Sequence, residues 1–198
     1  MIAAIEDRRS IRSYQSTPVS VQTIEQIIQA GRLSPSSKNR QPWKFIVTMG
    51  EAKEKALEAM EQGLKREKSR PFLPISAPHL GGAEYTLKVM RQAPVVLFVL
   101  NPLGLAMERA LDVEERIAEI CNQQSMGACL ENMSLAATEM GLGCLWIGDI
   151  FFAYQELNTY LDTQGQLVAA MALGYANESP QARPRKSLES LIEWRIDF

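Results

Sequence analysis

EERIAEICNQQSMGACLENMSLAATEMGLGCLWIGD, residues 114–149, is the stretch whose reading decides the fold. Within it Met126, Cys129, Leu130, Met133, Leu135 and Met140 are apolar, and Gly127, Ala128, Ser134, Ala136 and Ala137 are small. A helix apolar nearly all round is a buried helix. Its only charges after Cys121 are Glu131 and Glu139, and the pattern breaks at Gly141 and Gly143, residues suited to the left-handed backbone that ends a helix. The following CLWIG reads as a short buried strand. No alternation marks a solvent face, so this helix and strand are expected to be covered by other elements or by a second subunit.

Working outward, FIVTM closed by Gly50, APVVLFVLN opened by Pro94, and LVAAMALGY from Leu167 read as strands. Residues 2–7 predict a short helix that delivers RRSIR. Val21, Ile24, Ile27 and Ile28 fall at helical spacing behind Ser20, a candidate cap, with Gly31 near the stop. Residues 51–68 predict a helix with Ala56, Leu57, Met60 and Leu64 on one side, and FFAYQELNTYL predicts another. SPSSKNRQPW reads as a loop. PFLPISAPHLGGAEY, with three prolines and two glycines, reads as the longest irregular stretch: a lid, a binding loop or a plain connector. After a basic run, Leu188, Leu191 and Ile192 return at helical spacing. Helices and strands do not alternate strictly, so a doubly wound parallel sheet is disfavoured and the class is α+β. Without repeats or a linker, residues 1–198 read as one domain.

The bulk numbers exclude several partners. In 198 residues, 21 basic and 23 acidic side chains leave a net charge of −2, which is no electrostatic footprint for nucleic acid or an anionic membrane. Charges by the sixth residue and the lack of a long apolar run predict a cytoplasmic protein. Cys121 and Cys129, on one helix, would lie about 12 Å apart, too far for a disulfide. One histidine, His79, and no Cys or His cluster leave little from which to build a metal site or a Ser/His/Asp triad.

Four groups can carry chemistry. Arg8, Arg9, Ser10 and Arg12 pack three guanidinium groups and a hydroxyl into five residues, a set able to fork onto a phosphate or simply to be a solvated charge run. PSSKNRQPW offers hydroxyls, amides and a tryptophan, and is otherwise a turn. Trp146, Ile147 and Gly148 read most simply as core. Arg183, Arg185 and Lys186 read most simply as a solvated tail.

Taken together and in order, RRSIR, PSSKNRQPW, QSMGACLENMSLAATEMGLGCLWIG, LGYANE and RPRKSLESL resemble the nitroreductase family of FMN-dependent oxidoreductases over essentially the whole chain. The resemblance implies a nitroreductase-like fold, a mostly antiparallel sheet flanked by helices with the central helix at the interface of an intertwined homodimer. It also implies two FMN sites between the subunits. Arg8 and Ser10 match positions at the flavin phosphate and ribityl end, Arg9 belongs to the same cofactor-binding element, and Arg12 matches the cation near N1 and O2. Pro35, Ser36, Ser37 and Asn39 match a loop laid on the flavin by the partner. Trp146, Ile147 and Gly148 match the backbone beside the isoalloxazine edge, and Arg183 and Arg185 a second set of phosphate cations. An Asn and Lys pair that some relatives bring to the pyrimidine edge has no counterpart in residues 63–91. No catalytic side chain is required, since the cofactor performs electron transfer and the protein supplies orientation and electrostatics. The implied cycle is ping-pong, from NADH or NADPH through FMN to nitroaromatics or quinones. A flavin-binding redox sensor, or a relative specialised for dehalogenation, dehydrogenation or flavin fragmentation, is the competing reading.

Overall fold

Four strands, β1 (Lys44–Met49), β2 (Val95–Asn101), β3 (Gly143–Ile147) and β4 (Gln166–Gly174), form one sheet in the order β1, β2, β4, β3. Every neighbouring pair is antiparallel. The computed structural model describes residues 2–162 and 164–196, so the outermost ends of the 1–198 expectation lie outside the described residues. Helices α1 (Ala3–Asp7), α2 (Val21–Arg32), α3 (Gly50–Ser69), α4 (Leu80–Gln92), α5 (Val113–Glu139) and α6 (Tyr154–Leu161) flank it. The class is α+β, as the order of elements predicts. No described helix is long and apolar enough to cross a membrane.

The central strands are apolar on both faces because both faces are covered. On β2, Val96, Phe98 and Leu100 pack with Leu57, Met60, Leu87 and Met90 of α3 and α4, while Val95, Leu97 and Val99 pack with Ile27 of α2 and Met126, Leu130 and Met133 of α5. This is the two-residue alternation of a strand carried into two separate cores. β4 follows the same rule with one interruption: Leu167 faces the α3 side and Ala169 the α5 side, a flip supplied by the register shift opposite Val99 and Leu100.

Helix α5 starts at a capping box, where Asp112 accepts from the Glu115 amide at 2.8 Å and Glu115 accepts from the Asp112 amide at 3.2 Å. It ends at Met140, followed by Gly141 at φ +75°. Gly143 was expected to share that left-handed role and does not; it opens β3, and its missing side chain serves a packing purpose described below. Within one chain α5 is one-sided. Asn122, Ser125, Met126, Cys129, Leu130, Met133, Ser134 and Ala137 form the buried stripe, whereas Gly127, Ala128 and Leu135 are half-buried and Ile117 and Ile120 are exposed.

Two other expectations are corrected. The long irregular stretch is broken by a short 3₁₀ turn, Ala77–His79, and gives way to α4 at Leu80. Gly81 and Gly82 cost helix propensity of about 1 kcal/mol each, but Ala83, Leu87 and Met90 bury against the sheet and override it. What remains irregular is tied down: buried Glu67 accepts from the amides of Phe72 and Leu73, each at 2.8 Å. At the other end, Leu188–Ser190 make only a 3₁₀ turn, and Leu188 and Leu191 are exposed.

Candidate anion-binding site

The site grows from the outer edge of β3. Helix α1 ends at Arg8, where the backbone turns extended, and Ser10 forms an isolated parallel bridge with Cys144. The Ile11 amide donates to the Cys144 carbonyl at 3.0 Å. Close approach is permitted by Gly143, where an added Cβ would stand 2.8 Å from Ile11 Cβ and push the segment off the sheet. Tyr14 pins the segment from inside, its buried hydroxyl donating to the Ile11 carbonyl at 2.9 Å. Burial, with Cys144 and Glu178 nearby, pushes the Tyr14 phenol well above its ordinary value, so it remains a donor.

The end of β4 comes back along the same segment. Tyr14 bridges Ala176, the Gln15 amide donates to the Tyr175 carbonyl and the Asn177 amide to the Ser13 carbonyl, both at 2.9 Å. Residues 180–185 then lie beside the N-terminal arginines. The result is a cleft of about 360 Å³ lined by Arg8, Arg9, Ser10, Arg12, Arg183 and Arg185, with residues 180–182. Two clusters more than 170 residues apart in sequence thus share one wall. Arg12 lies in that same cleft and does not stand apart from Arg183 and Arg185.

Five guanidinium groups meet here, and among the described residues no acidic side chain lines the cleft. Arg8 is ion-paired to Glu131 of α5 at 3.1 Å; among the described residues Arg9, Arg12, Arg183 and Arg185 have no carboxylate partner. Arg9 donates from Nη1 to the carbonyls of Glu6 at 2.6 Å and Arg8 at 2.9 Å, and Arg12 from Nη1 to Ser10 at 3.1 Å. The Arg9 Nε is buried with no acceptor. Buried donors are normally satisfied. A concentration of forked donors with one left orphaned is chemistry suited to a phosphate, which offers several acceptor oxygens and two negative charges.

The other two groups do not line this cleft. In the 35–39 loop, Pro35 and Asn39 are exposed, Ser36 accepts from the Gln41 amide at 3.0 Å, and the Ser37 amide donates to Ser125 Oγ of α5 at 3.2 Å. Lys38 and Asn39 are both left-handed at φ 52°, a turn that asparagine tolerates well. Ile147 is core, but Trp146 is 46 % exposed, against the expectation of a wholly buried strand. Its indole lies against α5, about 3.6 Å from where a Gly127 side chain would start. The Ser10 bridge sets the arginine segment beside Cys144, on the same strand as Trp146.

Sequence reasoning overlooked Tyr14, Glu131 and Glu178. Glu178 stood in plain view in LGYANE, and a lone carboxylate between a strand end and a basic run was a readable sign of an anchor.

The Nitroreductase family model matches residues 5–175. A nitrobenzene nitroreductase of Ectopseudomonas oleovorans is 32% identical over 208 residues, spanning 88% of this chain and 86% of that protein. A chloronitrobenzene nitroreductase of Comamonas testosteroni is 33% identical over 207 residues with the same coverage. Among solved structures, a provisionally named nitroreductase in complex with FMN, from Desulfovibrio desulfuricans, superposes with a TM-score of 0.72 at 26% identity, covering 99% of this chain and 97% of that one.

Proposed function

The chain belongs to the nitroreductase family, and from that premise we propose that it is an FMN-dependent NAD(P)H oxidoreductase acting on nitroaromatics, quinones or similar planar electrophiles. The observation that carries the reading is the cleft where Arg8, Arg9, Arg12, Arg183 and Arg185 converge without an acidic lining residue and with Arg9 Nε unsatisfied. Those residues fit the phosphate end of FMN. The flavin, when bound, supplies the redox chemistry, two electrons in from NADH or NADPH and out to the acceptor in a ping-pong cycle.

What the chain contributes is binding, orientation and charge. Arg8, Arg9, Ser10, Arg183 and Arg185 would hold the phosphate and ribityl end through charge-assisted hydrogen bonds. Arg12 would offer positive charge to the pyrimidine edge, and Trp146, Ile147 and Gly148 would border the ring system with backbone. The 35–39 loop belongs to the proposal through a second subunit, because within one chain it does not line the arginine cleft. A homodimer is further supported by the half-buried outer face of α5, with Ile117 and Ile120 exposed, and by Leu188, Leu191 and Trp194 exposed on the tail. In that assembly all 198 residues act as one domain.

The purified protein is expected to be yellow and to release FMN on acid treatment, identified by chromatography. It is expected to oxidise NADH or NADPH continuously when menadione or nitrofurazone is present. Release of FAD, or no flavin after reconstitution, sinks the cofactor reading; a single reduction without turnover turns the enzyme into a sensor. Sedimentation with and without FMN tests the dimer, which mass action predicts to tighten when the flavin is bound.

A further inference from the structure

We infer that Glu178 is a positioning residue that sets both arginine limbs of the cleft at once, an inference that rests on the FMN reading above. Its Oε1 accepts two consecutive backbone amides, that of Arg12 in a short contact and that of Ser13 at 3.2 Å. Neither contact reaches the cleft, and Glu178 does not line it. Its work is done through the backbone on which Arg12 stands.

The arginine segment has few other holds at that point. The Ile11 amide is held by Cys144 on the β3 side, and the Ser13 carbonyl by the Asn177 amide on the β4 side. Arg12 lies between these holds, and the Glu178 carboxylate closes the gap. An ionised carboxylate accepting from two N–H groups makes stronger bonds than a neutral acceptor. Rotation of the Arg12 backbone would swing its guanidinium out of register, so the anchor governs where the Arg12 charge sits.

Glu178 also fixes the second limb. It follows directly on the 175–177 segment paired with residues 13–15 and precedes Pro180, the first tail residue lining the cleft. Arg183 and Arg185 extend from that fixed point. One side chain therefore couples a limb near the amino end to one near the carboxyl end, and loss of the anchor should disturb both.

This gives Glu178 a signature that neither set of arginines shares. A carboxylate acting only through its negative charge would oppose the electron-rich reduced flavin, so Glu178→Ala would raise the flavin potential. An anchor does the opposite, because Arg12 is no longer held where it stabilises the reduced form. Glu178→Ala is expected to lower the potential in the direction of Arg12→Gln and to weaken FMN binding roughly tenfold, the scale of one lost charge-assisted contact. Glu178→Gln keeps a carbonyl oxygen that can accept both amides and is expected to restore the affinity and a potential at or above wild type.

The test is potentiometric titration and FMN binding on the reconstituted holoenzyme for both variants, with Arg12→Gln and the Arg12→Gln/Glu178→Ala double variant. Positioning predicts that the double variant shifts the potential little further than Arg12→Gln alone. A rise in potential for Glu178→Ala, fully additive shifts, or lowered melting temperature with unchanged potential and affinity overturns the inference. Wild-type protein that binds no FMN overturns the underlying function instead, so the two failures are distinguishable.

Discussion

Two arginine sites in this molecule differ in whether their charge is spent. At one end of α3, Arg66 donates from Nε to Glu156 at 2.9 Å and from Nη2 at 3.0 Å, pairs with Glu67 beside it, and reaches the Phe152 carbonyl at 3.2 Å. Glu67 is itself consumed by the amides of Phe72 and Leu73. At the edge of β3, five arginines gather with one carboxylate partner among them, and a buried Nε has none. The first arrangement is closed and needs nothing added, so it is structural. The second has donors to spare, which is what the proposed phosphate site requires. Counting arginines does not separate the two; counting acceptors does.

The comparison is sharpened most by Glu67→Ala. Removing one partner from a buried ionic network leaves the others uncompensated and costs about 3 to 5 kcal/mol, and here it also strands two amides. For a chain of this size that corresponds to a melting temperature lower by roughly 6 to 20 °C. FMN affinity per folded molecule is expected to stay at wild type. Burial works against the Glu67 charge, but the Phe72 and Leu73 amides and Arg66 outweigh it and hold the carboxyl below its ordinary 4.5. Arg66 likewise holds Glu156 down. Both groups therefore contribute stability that is complete above about pH 4.5 and is lost as the pH falls through their lower folded values. Urea midpoints measured from pH 7 to pH 3 should drop more steeply below 4.5 in wild type than in Glu67→Ala. Parallel curves would place the network's stabilising role elsewhere.

Arg183→Ala is the matching test of the open site, with a smaller effect on a different quantity. A hydrogen bond to a charged group is worth roughly 1.5 to 3 kcal/mol, so FMN binding should weaken by about ten- to a hundredfold. The thermal stability of the flavin-free protein should not change, because Arg183 is exposed and satisfies no protein acceptor among the described residues. Fluorescence titration of apoprotein with FMN, beside a melting curve without it, reads both. If Arg183→Ala melts early and binds FMN normally, the cleft is a structural feature like the Arg66 network and the contrast collapses.

Much of this was legible in the chain, and the failures are physical. Strands β1 and β2 announced themselves through β-branched runs bounded by Gly or Pro and β4 through an apolar run ending at Gly174, and Ser20 caps α2 as expected, accepting from the Thr23 amide. Helix α4 was hidden because glycine pairs signal loops locally while its burial is decided by packing on α3 and on the turn at residues 149–153. Trp146 was misread because period and propensity describe a strand but not whether anything covers its edge. The Arg66 network was invisible for a related reason: RE at positions 66–67 looks like any charged helix face until Glu156 arrives from another element. The arginine groups were legible as residues, yet their meeting in one cleft depends on Gly143 admitting Ile11 and on Glu178 returning to Arg12.

The smallest expected effect decides what Arg12 does inside the open site. It lines the same cleft as Arg183 and Arg185, so it either adds one more contact to the phosphate or turns its charge toward the ring. A phosphate carries the same charge in both redox states, and a contact to it binds oxidised and reduced flavin alike. The pyrimidine edge gains negative charge on reduction, and a cation there favours the reduced form. At roughly 1.5 to 3 kcal/mol for such a bond, and about 30 mV per 1.4 kcal/mol for a two-electron couple, Arg12→Gln should lower the potential by something like 30 to 60 mV. Reduction by NADH or NADPH should slow with it, whereas Arg183→Ala should leave the potential of bound flavin within a few millivolts of wild type. Equal shifts in the two variants, or no shift for Arg12→Gln, would mean that all five arginines serve the phosphate and that the positive charge at the ring must come from another residue.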